Sequence, residues 1–305
     1  MMQINTFSEL RKQVRENTQV RIVIAMADEE EVMLADKASK EDLATFSLIG
    51  KADRIQELLD KHGLSSAHFD ILNEPDSKRA AAAAIKMVNE QQADIPMKGL
   101  LHTSDFMSAV LNKEYGFERM KRISQITVFQ DQSNTLRFLT DCAINIEQSL
   151  SVKKDIIENA VLAAHAFGNP CPKVALLSAV ETVNEKMPDT TLGAILVQMN
   201  HRGQIKNCMI DGPLSLDNAI SKEATSIKGI HSSVAGAADI LVGSSLQEAN
   251  TLSKALNFYA EFETASIIMG TREPFIMTSR TDALQNKVNS IAATCWLYQK
   301  NNCIH

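Results

Sequence analysis

The chain has 305 residues, 45% of them hydrophobic and 22% charged, which fits one large or two medium globular domains with a full core. A formal net charge of −6, with Lys and Arg interleaved among Asp and Glu, argues against a nucleic-acid partner. No run reaches the roughly 18 apolar residues of a membrane helix, and MMQINTFSEL lacks a basic stretch followed by an apolar one, so a cytoplasmic protein is expected.

Helical and strand patterns alternate along the chain. Thr6-Phe7-Ser8-Glu9 spells a capping box, with Phe7, Leu10 and Val14 at helical spacing. The β-branched run Val20–Met26 predicts a strand, and an acidic helix follows from Asp28. Next come a strand through Phe46–Ile49, a helix Asp53–His62 stopped by Gly63, and a strand Phe69–Leu72. The alanine-rich Arg79–Gln91 predicts a helix, followed by a strand Ala93–Met97 and a helix near Ser104–Asn112. Ile123–Phe129 and Thr135–Leu139, joined by a polar turn, read as a hairpin. Beyond it, helices are expected at Lys153–Phe167, Thr190–Asn200, Ser215–Ser221, Leu246–Ala260 and Leu284–Lys300. The intervening strands are Lys173–Leu177, Asn207–Ile210, Asp239–Val242 and Ser266–Met269, with a short buried strand at Phe275–Met277.

Such alternation builds sheets covered by helices on both faces, so the fold class is α/β, with two α/β/α domains separated near the hairpin. Five cysteines, widely spaced and without a C-x-x-C pair, predict reduced, mostly buried thiols. Seven histidines without metal-ligand spacing give no support for a metal centre.

In α/β folds ligands sit at the carboxyl ends of strands. Five strand ends here carry polar groups: Met97-Lys98-Gly99, Thr140-Asp141 through Asn145, Ser178–Glu181, Asp211–Asp217 and Thr278-Ser279-Arg280. Singly, each reads as turn chemistry or a helix cap; together they mark a site. None matches a P-loop or dinucleotide fingerprint.

These stretches, with VLNKE (110–114), KVALLSAVETVNEKMPDT (173–190), RGQIKNCMIDGPLSLDNAIS (202–221) and IMTSRTDALQNKVNSIA (276–292), resemble the phosphate acyltransferases, the phosphate butyryltransferase and phosphate acetyltransferase family. The resemblance spans nearly the whole chain. It implies transfer of an acyl group between CoA and inorganic phosphate through a ternary complex, with CoA as substrate, no tightly bound cofactor and no metal. It also implies the isocitrate/isopropylmalate dehydrogenase-like fold, two α/β domains flanking a cleft and commonly a homodimer. Residues 1–133 with 271–305 would form one domain, and 134–270 the other.

For that reaction a site needs fixed cations on phosphoryl oxygens, a donor to the developing oxyanion, and help in removing a thiol proton. Arg280 fits the first need and Ser279 the second, both carried over from the family's Ser-Arg motif. Lys98 is a further cation beside Gly99, and Asp141, Asn145, Glu181 and Asn250 are expected to line the substrate site. The aspartate that acetyl-type relatives carry seven residues after the serine is Asn286 here, as butyryl-type relatives also lack it, and Asp282 is the nearby substitute. Other departures are Ser108 in place of an arginine, Gln125 in place of a histidine, and the altered loop Ser244–Asn250. A butyryl-like acyltransferase is therefore expected, the alternative being a family member that binds CoA or acyl phosphate without efficient turnover.

Overall fold

A computed structural model describes residues 3–301, and Cys303 lies outside them. The chain divides into two compact units. The first comprises Ser8–Met120 with the segment from Ala265, and the second Lys121–Thr264 with the segment through Phe7. The sequence reading instead divides the chain after residues 133 and 270. The difference arises at the hairpin, whose second strand pairs with its first on one side and with a later strand on the other, holding both in one sheet.

Phe7–Arg15 forms α1, and the chain then alternates through β1 (Val20–Ala25), α2 (Glu29–Lys40), β2 (Ala44–Gly50), α3 (Ala52–His62), β3 (Phe69–Asn73), α4 (Ser77–Asn89), β4 (Ile95–Lys98) and α5 (Thr103–Val110). The four strands are parallel and stand in the order β3-β2-β1-β4. β1 is buried at five of its six residues, as a strand covered on both faces must be. α2 begins where the sequence marks it: Asp28 caps the helix and Glu31 returns a bond to the Asp28 amide at 3.1 Å.

The chain leaves β1 toward β2 and β3 on one side and returns to β4 on the other. The carboxyl ends of β1 and β4 therefore form the topological switch point, where such sheets open a crevice for ligands.

In the second unit, β5 (Arg119–Gln130) and β6 (Leu136–Thr140) pair antiparallel, as the hairpin reading expects. They are followed by α6 (Leu150–Ala166), β7 (Lys173–Leu177), α7 (Pro188–His201), β8 (Met209–Leu214), α8 (Leu216–Ile220), α9 (Lys222–Ile227), β9 (Ile240–Val242) and α10 (Leu246–Phe258). Strands β5, β6, β9, β7 and β8 lie side by side in that order. Phe129, Leu139, Ala175, Leu177, Leu214, Val234 and Leu241 interlock in its core.

The chain finishes with β10 (Thr264–Thr271) and α11 (Leu284–Asn301). α11 is anchored to the first sheet by the Tyr298 hydroxyl, which donates to Asp94 at 3.0 Å, while Arg21 binds the same carboxylate from β1. Phe275–Met277 does not form the expected full strand. It makes a single parallel bridge, with the Ile276 amide donating to the Pro96 carbonyl and the Lys98 amide to the Ile276 carbonyl, each at 2.9 Å. Two bonds suffice to dock the segment on the free edge of β4, and the chain then turns away at Thr278.

Among the described cysteines, Cys142, Cys208 and Cys295 are buried and Cys171 is exposed; none is in a disulfide. No cluster of metal-ligating residues exists among the described residues, and no described helix is long and apolar enough to cross a membrane.

Candidate active site

Docking of Ile276 on β4 brings together residues far apart in the sequence. Lys98 ends β4, Gly99 follows it, and Ser279 and Arg280 lie three and four residues beyond the bridge. All four belong to the first unit, at the carboxyl edge of its sheet, beside the β1–β4 switch point.

Gly99 is dictated by crowding. Its amide donates to the Ala25 carbonyl at 2.9 Å, and a β-carbon there would stand 2.5 Å from the Met26 carbonyl oxygen and 2.6 Å from that of Ala25. Only glycine lets β4 press so closely on the end of β1.

Lys98 is 9% exposed, and its ammonium donates to the Gly99 carbonyl at 3.1 Å. No carboxylate lies within ion-pair distance of it among the described residues. Burial pulls its pKa below the usual lysine value, and the positive charges of Arg280 and Lys287 push the same way against the opposing pull of Glu31. Arg280 is exposed, and its guanidinium has no hydrogen-bond or ion-pair partner among the described residues. A buried ammonium and an uncommitted guanidinium within each other's field repel, and an anion placed between them relieves both.

The turn carrying Ser279 and Arg280 is fixed from several sides. Asp282 accepts the Ser279 amide at 3.0 Å, and its own amide donates to the Ser279 carbonyl at 3.2 Å. The Ser279 hydroxyl lies 3.0 Å from that of Thr281. Lys287, in the first turn of α11, pairs with Glu30 and reaches the Arg280 carbonyl at 3.4 Å. Asn286, at the position of the missing aspartate, is buried and carries no ionisable group.

The remaining expected residues lie in the second unit, in two groups. Asp141 is 1% exposed and organises the loop after β6. One carboxylate oxygen accepts the amides of Gln125, Ala143 and Ile144 at 3.1, 3.2 and 3.3 Å. The other accepts the Asn145 amide at 2.9 Å and its side chain, while Asn145 also donates to the Ile123 carbonyl at 2.9 Å. Asn250, from α10, donates to the Cys142 carbonyl of the same loop at 2.9 Å. These three side chains spend their bonds on the loop after β6 and on tying it to the neighbouring β5. The altered segment Ser244–Asn250 is itself an orderly helix start, with Ser245 capping α10 at the Glu248 amide.

Glu181 sits apart from that loop. It accepts from Lys228 at 2.8 Å and also from Ser215 and Asn218, which hold its pKa down at about 2. The Lys228 bond contributes most, followed by the Ser215 hydroxyl. The expected strand end at Asp211 is moved, because Asp211–Leu214 runs inside β8 and the helix cap falls at Ser215.

Two features escaped the sequence reading. One is the Lys287–Glu30 pair, with Lys287 and Glu31 both acting on Lys98 through their charges. The other is Lys153 of α6, 4% exposed, whose ammonium donates to the Gly243 carbonyl just after β9. Burial lowers its pKa to about 8 against the pull of Glu248, Asp141 and Asp189. It lines a cavity of about 20 Å³ with Asp189, Leu176, Leu192 and Val242, at the switch point between β7 and β9. A lysine in the N-terminal part of a helix opposes the helix dipole, and that was the available signal.

A family model described as phosphate acetyl/butaryl transferase matches residues 55–295. The phosphate butyryltransferase of Clostridium acetobutylicum is 40% identical over 95% of this chain and 97% of its own. Among solved structures, a branched-chain phosphotransacylase from Enterococcus faecalis superposes with a TM-score of 0.83 at 28% identity, covering 92% of this chain and 99% of the other. A 4-hydroxythreonine-4-phosphate dehydrogenase from Klebsiella pneumoniae shares the fold alone, with a TM-score of 0.57 at 13% identity over 93% of this chain and 99% of that one.

Proposed function

The chain belongs to the phosphate acetyl/butyryl transferase family and is a phosphate acyltransferase, and on that premise we propose that it moves a short-chain, butyryl-like acyl group between CoA and inorganic phosphate in a ternary complex. One observation carries the assignment of the anion site: Lys98 is a buried ammonium with no carboxylate within ion-pair distance among the described residues, and it feels the charge of the exposed and uncommitted Arg280. A buried cation without a counter-ion is costly, and a bound phosphate supplies the missing charge. The butyryl preference rests on the similarity to a phosphate butyryltransferase and on Asn286 at the position where acetyl-type relatives carry aspartate.

In the direction of acyl phosphate, a phosphate oxygen attacks the thioester carbonyl, negative charge gathers on the carbonyl oxygen, and the CoA thiolate leaves. Arg280 and Lys98 hold the phosphate and fix its angle of attack. The Ser279 hydroxyl donates to the developing oxyanion, where a preplaced donor is worth more than in water. Asp282 acts by holding the Ser279 amide, which sets where that hydroxyl points. Asp141, Asn145 and Asn250 shape a loop of the second unit, and Glu181 neutralises Lys228 there.

The test is release of free thiol from butyryl-CoA as a function of phosphate concentration. Lys98→Met and Arg280→Ala should each raise the phosphate KM by about 10- to 150-fold, since a charged hydrogen bond is worth roughly 1.5–3 kcal/mol. The butyryl-CoA KM should move little. Unchanged phosphate dependence in both variants would overturn the assignment. Measurable CoA binding with no thiol release by the parent protein would favour the binding-only alternative.

A further inference from the structure

Lys287 has a position that nothing in the acyl-transfer chemistry accounts for. Its side chain is 3% exposed, although α11 opens at the surface with the exposed Leu284 and the half-buried Gln285. It spans from α11 to Glu30 in the first turn of α2, and its ammonium also faces the Arg280 carbonyl at 3.4 Å. Glu30 follows β1, whose end forms one wall of the switch point. A buried ammonium is retained against its desolvation cost only when its partners hold it in a defined geometry. Here those partners are the helix start beside the anion site and the backbone of the residue that reaches for the anion.

We infer that Lys287, braced by Glu30, is a positioning residue that pins the Arg280 turn to the start of α2 and so sets where the guanidinium meets phosphate. This rests on the reading of Lys98 and Arg280 as the phosphate site. Lys287 takes no proton and touches no reacting atom. Asp282 fixes the Ser279 end of the same turn through backbone bonds, and Lys287 fixes its Arg280 end. The two holds divide the labour: loss of the Lys287 hold frees the arginine while the serine stays in place.

The experiment is a double-mutant cycle on the intact protein, following thiol release against phosphate and against butyryl-CoA. Lys287→Met should raise the phosphate KM about 3- to 10-fold, the worth of one lost hydrogen bond, with kcat changed less than about twofold. In an Arg280→Ala background the same substitution should leave the phosphate KM within about twofold, because contacting residues that act through each other are not additive. Lys287→Arg, keeping charge and reach, should recover most of the loss, and Glu30→Gln should reproduce part of it. These variants also cover the case in which Lys287→Met folds poorly. Equal effects of Lys287→Met with and without Arg280 would overturn the inference, as would a fall in kcat at unchanged phosphate KM. An Arg280→Ala variant with normal phosphate KM would overturn the underlying site instead.

Discussion

Replacing Lys153 by methionine tests whether the second unit keeps a charged amine buried at a cost to stability. The fall of its pKa from 10.5 to about 8 corresponds to about 3 kcal/mol against the charged form at neutral pH, at about 1.4 kcal/mol per pH unit. The sign follows from where each state holds its proton. Below about pH 8 both folded and unfolded chains are protonated, and the fold bears the full penalty. Between about 8 and 10.5 the folded chain has lost the proton while the unfolded chain keeps it, so stability rises with pH across that window. Lys153→Met removes this rise. It also removes the donor to the Gly243 carbonyl, and orphaning that acceptor costs about 1–3 kcal/mol. The two effects nearly offset at pH 7, so the diagnostic is the slope. The stability gap between variant and parent should shift in the parent's favour by about 2 kcal/mol between about pH 7 and pH 9.5. Urea unfolding of both proteins at these two pH values, followed by circular dichroism, measures it. Parallel stability–pH curves would refute the account, because they would mean that the amine has the same proton affinity folded and unfolded.

Gly99→Ala should disrupt the β1–β4 crevice, since its β-carbon meets two backbone carbonyl oxygens that have no room to retreat; a lower melting temperature together with a raised phosphate KM is expected, and normal values of both would refute the crowding argument. Asp141→Ala strips one loop of its shared acceptor and should cost about 3 kcal/mol or more, read as a drop in the urea midpoint. Glu181 has its folded pKa at about 2, below the ordinary value of 4.5, so its contribution is present above about pH 4.5 and is lost as pH falls toward 2. Glu181→Gln should therefore flatten the acid limb of the stability curve, measured by melting temperature against pH.

The elements with strong local signals were legible from sequence. The Asp28 cap and its reciprocal Glu31, the β-branched β1, and the polar turn between β5 and β6 each carry their instruction within a few residues. The start of β8 falls within the strand expected at Asn207–Ile210, but its run on to Leu214 was not legible, because Asp211-Gly212-Pro213 spells a turn while the fold uses it as strand. Gly212 is there for close approach, since a β-carbon would lie 2.6 Å from that of Leu176 on β7, and only the paired strand reveals this requirement. Phe275–Met277 has a strand's composition but finds an edge on which it makes one bridge. Among the proposed site residues, Lys98, Gly99, Ser279 and Arg280 are picked out by motif and strand-end position, and the Met97–Ile276 bridge puts them at one sheet edge. Lys287 is not picked out: beside an apolar stripe a lysine reads as solvated, and its burial depends on Glu30, which only the tertiary fold brings within reach.

The bridge between Met97 and Ile276 also has a consequence for the timing of biogenesis. Lys98 emerges from the ribosome early, whereas the segment that joins it arrives only after the whole second unit has been synthesised. If Lys98 and Arg280 form the proposed phosphate site, a nascent chain completes its first parallel strands and is still unable to grip phosphate. Ligand capture becomes a report that the late segment has found its edge, so phosphate should shield finished molecules from proteolysis and leave arrested, shorter chains unprotected.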